Sequence, residues 1–156
     1  MRLETARLTY GGSAGQAGLS ARVWATSEEY IATMLLGCTG DVSTGSSDFA
    51  NPLAKEGMRV VQYTGPPAEP ASNEVDAGVI ALKSRSVDPN QAVAQSLEAL
   101  AWLKAQGCTQ FLFKYCSTFD STPEGNIGPV ADALAEALDA TTVIACPAFP
   151  GTGRSV

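Results

Sequence analysis

The chain contains no histidine, and its four cysteines, at 38, 108, 116 and 146, form no Cys-x-x-Cys pair. Those absences remove the common zinc patterns, imidazole acid–base catalysis and the Ser/His and Cys/His dyads, so no metal site is expected. Neither G-x-G-x-x-G nor G-x-x-x-x-G-K-[S/T] occurs, which leaves a nucleotide site within the chain without motif support. Ten Lys and Arg stand against sixteen Asp and Glu, for a net charge of −6. With no basic stripe, nucleic acid is not an expected partner. No apolar run reaches membrane-spanning length, and no basic segment followed by an apolar one opens the chain, so neither a membrane nor a secretory route is expected. The cysteines then read as reduced thiols of a cytoplasmic protein.

The chain is 156 residues long, 45% hydrophobic and 17% charged, which is ordinary composition for about one globular domain. Residues 1–33 differ from the rest. They are rich in Gly, Ala, Ser and Thr and carry no sustained period, so they are expected to be a poorly ordered extension. The domain is expected to span 34–156, with Met34 near its natural start.

Strands and helices then alternate. Leu35–Cys38 reads as a first strand, followed by a Gly/Ser/Thr/Asp turn into a helix. Pro52 fits that helix if Asn51 caps it, and kinks it if it starts at Ser46. Met58–Tyr63 and Val75–Leu82 read as strands two and three, separated by a proline-rich loop. Asp88, Pro89 and Gln91 form a capping box for a helix whose apolar face is Val93, Leu97 and Leu100 and whose stop is Gly107. Phe111–Phe113 is the fourth strand. A helix from Ile127 follows, using Val130, Ala131, Leu134 and Leu138. Thr142–Ala145 reads as a fifth strand. The expected fold is α/β: three layers, a mostly parallel sheet of about five strands, helices on both faces, Rossmann-like in arrangement.

In a parallel sheet the strand C-termini share one edge, where open α/β folds bind ligands. Four loops are expected there: Asp41–Thr44, Lys83–Ser86, Lys114–Thr122 and Cys146–Arg154. Four of the ten cations, Lys83, Arg85, Lys114 and Arg154, lie in them. An acidic chain that gathers cations at one edge fits a small anionic ligand, a carboxylate or phosphate. The N-terminus of the Ile127 helix, just after Asp120-Ser121-Thr122, would add N–H donors. Plain structural roles stay open for each residue: solvated strand ends for the cations, a turn for Asp120-Ser-Thr, a helix cap for Asp48, and loop packing for Tyr115 and Phe119.

Several stretches carry a family likeness. They are Leu-Leu-Gly-Cys at 35–38 with Asp41, Thr44, Gly45 and Asp48; Ala81-Leu-Lys-Ser-Arg85; Phe113 through Pro123; Gly125-Asn-Ile-Gly-Pro-Val130; and Cys146-Pro-Ala-Phe-Pro150 with Gly153 and Arg154. Residues 35–156 resemble the N-terminal half of the four-carbon acid sugar kinases, and among them the 3-oxo-tetronate kinases. The resemblance implies a sugar-acid-binding domain of an ATP-dependent kinase for 3-oxo-tetronates or related threonates and erythronates. It implies Asp41 as the catalytic residue, within a loop that reads DDFTGA in the family. Lys83, Ser84, Arg85, Lys114, Asp120, Ser121, Thr122 and Arg154 would bind substrate. ATP and Mg²⁺ would belong to a C-terminal half outside this chain, so no cofactor is expected within it. Its partners would be the sugar acid and either that other half or a second copy. Three motif positions depart from the family: Val42 replaces a carboxylate, Glu124 an arginine and Thr152 an asparagine. They favour one alternative, a non-catalytic remnant; the nucleotide-binding half outside the chain gives another, a subunit that needs a separate nucleotide-binding chain.

Overall fold

The computed structural model describes residues 34–119, 122, 125–148 and 153. The expected extension over 1–33 lies outside them. The element order is β1 (Leu36–Gly40), α1 (Ser43–Lys55), β2 (Val60–Thr64), β3 (Ala77–Ala81), α2 (Pro89–Ala105), β4 (Gln110–Lys114) and α3 (Ile127–Ala137). The four strands form one parallel sheet in the order β2-β3-β1-β4.

The register sorts side chains onto two faces. Gly37 lies level with Gly78 and Phe111, and Thr39 with Ile80 and Phe113. A Cβ built on Gly37 or Gly78 would press on Leu103 of α2, so both glycines let that helix sit close to the sheet. The same face carries the main apolar core, in which Met34, Ile80, Trp102 and Leu103 meet. A second cluster joins Leu100 of α2 to Val130 and Leu134 of α3 against Phe111 and Phe113. The opposite face meets α1: Ser46 crowds Gly40, and the Ser47 hydroxyl donates to Gln62 at 3.0 Å. Helices therefore cover both faces, in the three layers expected. β3, central and covered twice, is buried at all five positions.

α2 begins as its sequence predicts. Asp88 accepts from the Asn90 N–H at 2.9 Å, and Pro89 takes the first turn, where its missing N–H costs nothing. Gly107 follows the helix at φ 85°, a conformation glycine adopts without strain. Two polar contacts fasten the loop before β3 to this helix. Trp102 Nε1 donates to the Glu69 carbonyl at 3.3 Å, and the Ala71 N–H donates to Gln106 Oε1 at 2.9 Å.

Two expectations require correction. Thr142–Ala145 is not a strand: residues 142–148 carry no regular structure. α3 is followed by a turn with Asp139 at φ 51°, and Val143 and Ile144 are 61% and 90% exposed. A strand needs a neighbour that pairs its backbone and buries one face, and among the described residues these four have neither. α1 starts at Ser43, before either expected start. Val42 is extended at φ −150° and ψ 145°, and its carbonyl accepts from Ser46 N at 3.0 Å as the first helical bond. Pro52 lies inside the helix, three residues before its last residue, where one missing N–H is tolerated in an exposed final turn.

Candidate functional site

β1, β3 and β4 all end at one edge, so residues just past them converge. An open cleft of about 640 Å³ lies there. Its walls come from Asp41–Ser43 after β1, Lys83–Ser86 after β3, Phe113 and Cys116 around the end of β4, and Gly125–Ile127 leading into α3. The sequence predicted this edge and three of its four loops.

Asp41 is the most constrained of these residues. Only 5% of it is exposed. Its Oδ2 accepts from the Cys116 N–H at 2.9 Å, while Oδ1 has no hydrogen-bond partner among the described residues. Its own N–H reaches the Lys114 carbonyl, and its carbonyl accepts from the N–H groups of Ser84 and Arg85, all at 3.2 Å. One residue thus ties together the ends of three strands. Burial raises its carboxyl above the ordinary aspartate range, against the Cys116 N–H and the charges of Lys114 and Arg85, which pull it down. A buried carboxylate with one unpaired oxygen suits accepting a proton or a hydroxyl hydrogen bond from a ligand.

The cations take different places. Lys83 and Arg85 are exposed cleft residues. Arg85 donates to the Thr118 hydroxyl at 3.1 Å, and that hydroxyl faces the Cys116 sulfur at 3.3 Å. Burial raises the Cys116 thiol, but the Thr118 contacts and the Arg85 charge outweigh it and leave the thiol below its ordinary value. Lys114 sits behind the wall. Its ammonium donates to the Tyr115 carbonyl at 2.8 Å and stands 3.7 Å from where a Cβ on Gly45 of α1 would be. Ser84 is buried at 1% exposure, so it shapes the loop and presents little surface.

Thr122 is exposed and accepts from Gly125 N through its carbonyl; it does not line the cleft. Asp120, Ser121 and Arg154 lie outside the described residues, as do the departures Glu124 and Thr152. Tyr115 packs between Phe113 and Phe119, with ring centroids 5.9 and 5.3 Å away.

Sequence reasoning gave no role to Asn126. Its position before Ile127 suggests a helix cap, yet its side chain makes no capping bond. The amide nitrogen donates instead to the carbonyls of Ser84 at 2.6 Å, Val87 at 2.9 Å and Arg85 at 3.3 Å. It holds the Lys83–Val87 loop in the cleft wall, a contact 39 to 42 residues distant in sequence that no local pattern reveals. Among the described residues, no group of three or more His, Cys, Asp and Glu could hold a metal. No helix among them is long and apolar enough to cross a membrane.

Residues 36–156 match the model of a sugar-binding N-terminal domain. A 3-oxo-tetronate kinase of Burkholderia multivorans is 62% identical over 122 residues, covering 78% of this chain and 28% of the relative. A 3-oxo-tetronate kinase of Cupriavidus necator is 60% identical over 125 residues, covering 78% and 29%. The chain thus spans under a third of the length of these curated relatives. A crystal structure from Salmonella typhimurium LT2, described as that of a tRNA synthase, superposes with a TM-score of 0.74 at 51% identity, over 77% of this chain and 29% of the other. The acidic balance of the present chain offers no electrostatic footprint for tRNA.

Proposed function

The chain belongs to the family of sugar-binding N-terminal domains, and from that premise we propose that its cleft binds a small anionic sugar acid as the acceptor half of an ATP-dependent four-carbon acid sugar kinase. The acceptor is a 3-oxo-tetronate or a related threonate or erythronate, and the setting is the cytoplasm. The carrying observation is that Asp41, buried with an unpaired carboxylate oxygen, meets Lys83, Ser84 and Arg85 in one cleft. Lys83 and Arg85 balance the ligand carboxylate, and Lys114 adds a third positive charge behind the wall. Asp41 orients the acceptor hydroxyl and takes its proton as phosphoryl transfer proceeds. Asp120, Ser121 and Arg154 complete the ligand contacts.

ATP, bound with Mg²⁺ outside this chain, would supply the phosphoryl group. The chain therefore needs a nucleotide-binding region, either continuous with it in a longer protein or contributed by a separate subunit, and a second copy is a further possible partner. Phosphoryl transfer rests on positioning and electrostatics, so this domain alone binds without turnover. Calorimetry with threonate, erythronate and 3-oxo-tetronate at millimolar concentration tests the reading. Binding of at least one, lost in Asp41→Asn, is expected; no heat with any of them would sink it.

Val42 favours a second reading, a non-catalytic remnant. It stands where the family carries a carboxylate, and as the residue before α1 it offers no side-chain cap. Under that reading the present chain binds no tetronate, and Val42→Asp restores binding.

A further inference from the structure

Three buried side-chain oxygens have no hydrogen-bond partner among the described residues: Thr39 Oγ1, Asp41 Oδ1 and Ser96 Oγ. Their residues are 3%, 5% and 0% exposed. Buried polar groups are paired as a rule, because an unpaired one has lost water and gained no partner. The topology brings these three to one place. Gly37 faces α2, since a Cβ on it would lie 3.1 Å from Leu103. Side chains alternate along a strand, so Thr39 and then Asp41 follow on that same face, about 6.6 and 13 Å beyond Gly37 at roughly 3.3 Å per residue.

α2 links the parallel strands β3 and β4, so it runs back across the sheet, antiparallel to β1. Ser96 lies two turns before Leu103 on the same helix face, which sets it roughly 10 Å beyond Gly37, between the levels of Thr39 and Asp41. Its neighbours on that face, Ala92 and Ala99, are alanines at 0% exposure, so they offer no side-chain partner to any of the three oxygens. No direct bond joins the three oxygens either. A single water with two to four polar partners is the usual way a fold satisfies such a cluster.

We propose that Thr39 and Ser96 are positioning residues for Asp41: their hydroxyls hold a water between β1 and α2, and that water donates to Asp41 Oδ1 from behind the cleft. The part this plays toward a ligand rests on the sugar-acid reading above; the water and its bonds do not. A carboxylate oxygen accepts more than one hydrogen bond, so Oδ1 takes the water from the helix side and a ligand hydroxyl from the cleft side. With Oδ2 on the Cys116 N–H, both oxygens are then fixed before the ligand arrives. The bond from the water also favours the charged carboxylate, against the burial that raises it. The charges that act on Asp41 are Lys114 on β4 and Arg85 after β3, with Lys83 and the Cys116 thiol in the same cleft wall. The buried face of α2 carries no charge, and the first turns of α1 and α3 carry no acid.

Carbon-13 NMR of the Asp41 carboxyl, titrated in the whole ligand-free chain, tests this. Thr39→Val keeps the shape and removes one hydroxyl; Ser96→Ala removes the other and suits a helix. Each is expected to raise the Asp41 midpoint by about 0.5 or more, while Thr39→Ser leaves it near that of the unaltered chain. If the hydroxyls are simply unpaired, Thr39→Val raises the melting temperature and leaves the midpoint in place, and that result overturns the proposal. An equal rise in Thr39→Ser and Thr39→Val also overturns it, since packing then accounts for the change. Ser96→Ala decides alone where Thr39→Val does not fold. Calorimetry reads the effect on the ligand: erythronate is expected to bind Thr39→Val about threefold or more weakly, and Thr39→Ser as it binds the unaltered chain. Erythronate that binds the unaltered chain and Thr39→Val alike overturns the positioning role and leaves the sugar-acid reading standing. Erythronate that binds neither overturns the sugar-acid reading, and the ligand-free midpoint still decides whether the water and its bonds exist.

Discussion

Replacing Asn126 tests how the cleft wall is built. The assignment of its amide rests on chemistry: all three partners are carbonyls, so the group facing them must donate. Asn126→Ala removes two short hydrogen bonds, to Ser84 O at 2.6 Å and Val87 O at 2.9 Å, and a longer one to Arg85 O. At about 1 kcal/mol for each short bond the loss is roughly 2 kcal/mol, because water from the open cleft can reach the freed carbonyls. For a chain of this size that lowers the melting temperature by roughly 4–8 °C. Asn126→Asp keeps the shape but turns a carboxylate oxygen toward three carbonyls. It is expected to destabilise more than alanine does, and to speed amide exchange across residues 83–87. Thermal unfolding followed by circular dichroism, with exchange measured by mass spectrometry, reads both effects. An Asn126→Asp protein as stable as Asn126→Ala would refute the donor role and the network built on it.

Val42→Asp gives α1 the side-chain cap it lacks, on a backbone already extended at φ −150°; chemical denaturation should show a gain of about 1 kcal/mol. Asp76 is held to about 2, first by the Arg59 side-chain hydrogen bond and then by the Arg59 N–H. Its folded value is depressed, so the contribution is complete above an ordinary aspartate pKa and lost as pH falls from about 4 to about 2. Carboxyl NMR should give a midpoint near 2, moving up in Arg59→Ala. Burial pushes the Cys38 thiol up to about 12 and Cys108 to about 11, whereas Cys116 lies below its ordinary value and Cys146 is exposed. An aromatic disulfide reagent at pH 8 should therefore label Cys116 and Cys146 quickly and the other two only on unfolding.

Much of this was legible in the sequence. Asp88-Pro89 fixed the start of α2 because the cap and the proline act within one turn, and Gly107 marked its end for the same local reason. The near-continuous apolar run at Val79–Leu82 disclosed a doubly covered strand. The cleft loops followed from parallel topology alone, which is why Asp41, Lys83, Ser84 and Arg85 were found together. What escaped depends on contacts between distant segments. Thr142–Ala145 has strand-like residues, but a strand exists only through its neighbours. α1 starts at Ser43 because Val42 is extended and Ser46 packs on Gly40, which outweighed the proline signal at 52. Asn126 was given no role because local rules see only the helix after it and not the loop it holds, 39 to 42 residues away in sequence.

The central claim is that the strand ends form a sugar-acid site. A titration of the ¹⁵N-labelled chain with D-erythronate, followed by two-dimensional NMR, tests it most directly. Saturable shifts are predicted at Asp41–Gly45, Lys83–Val87, Cys116–Thr118 and Gly125–Ile127, and are predicted to vanish in Asp41→Asn. Shifts confined to the opposite sheet edge, at Leu36, Arg59, Asp76 and Gln110, or none at saturating ligand, would contradict it.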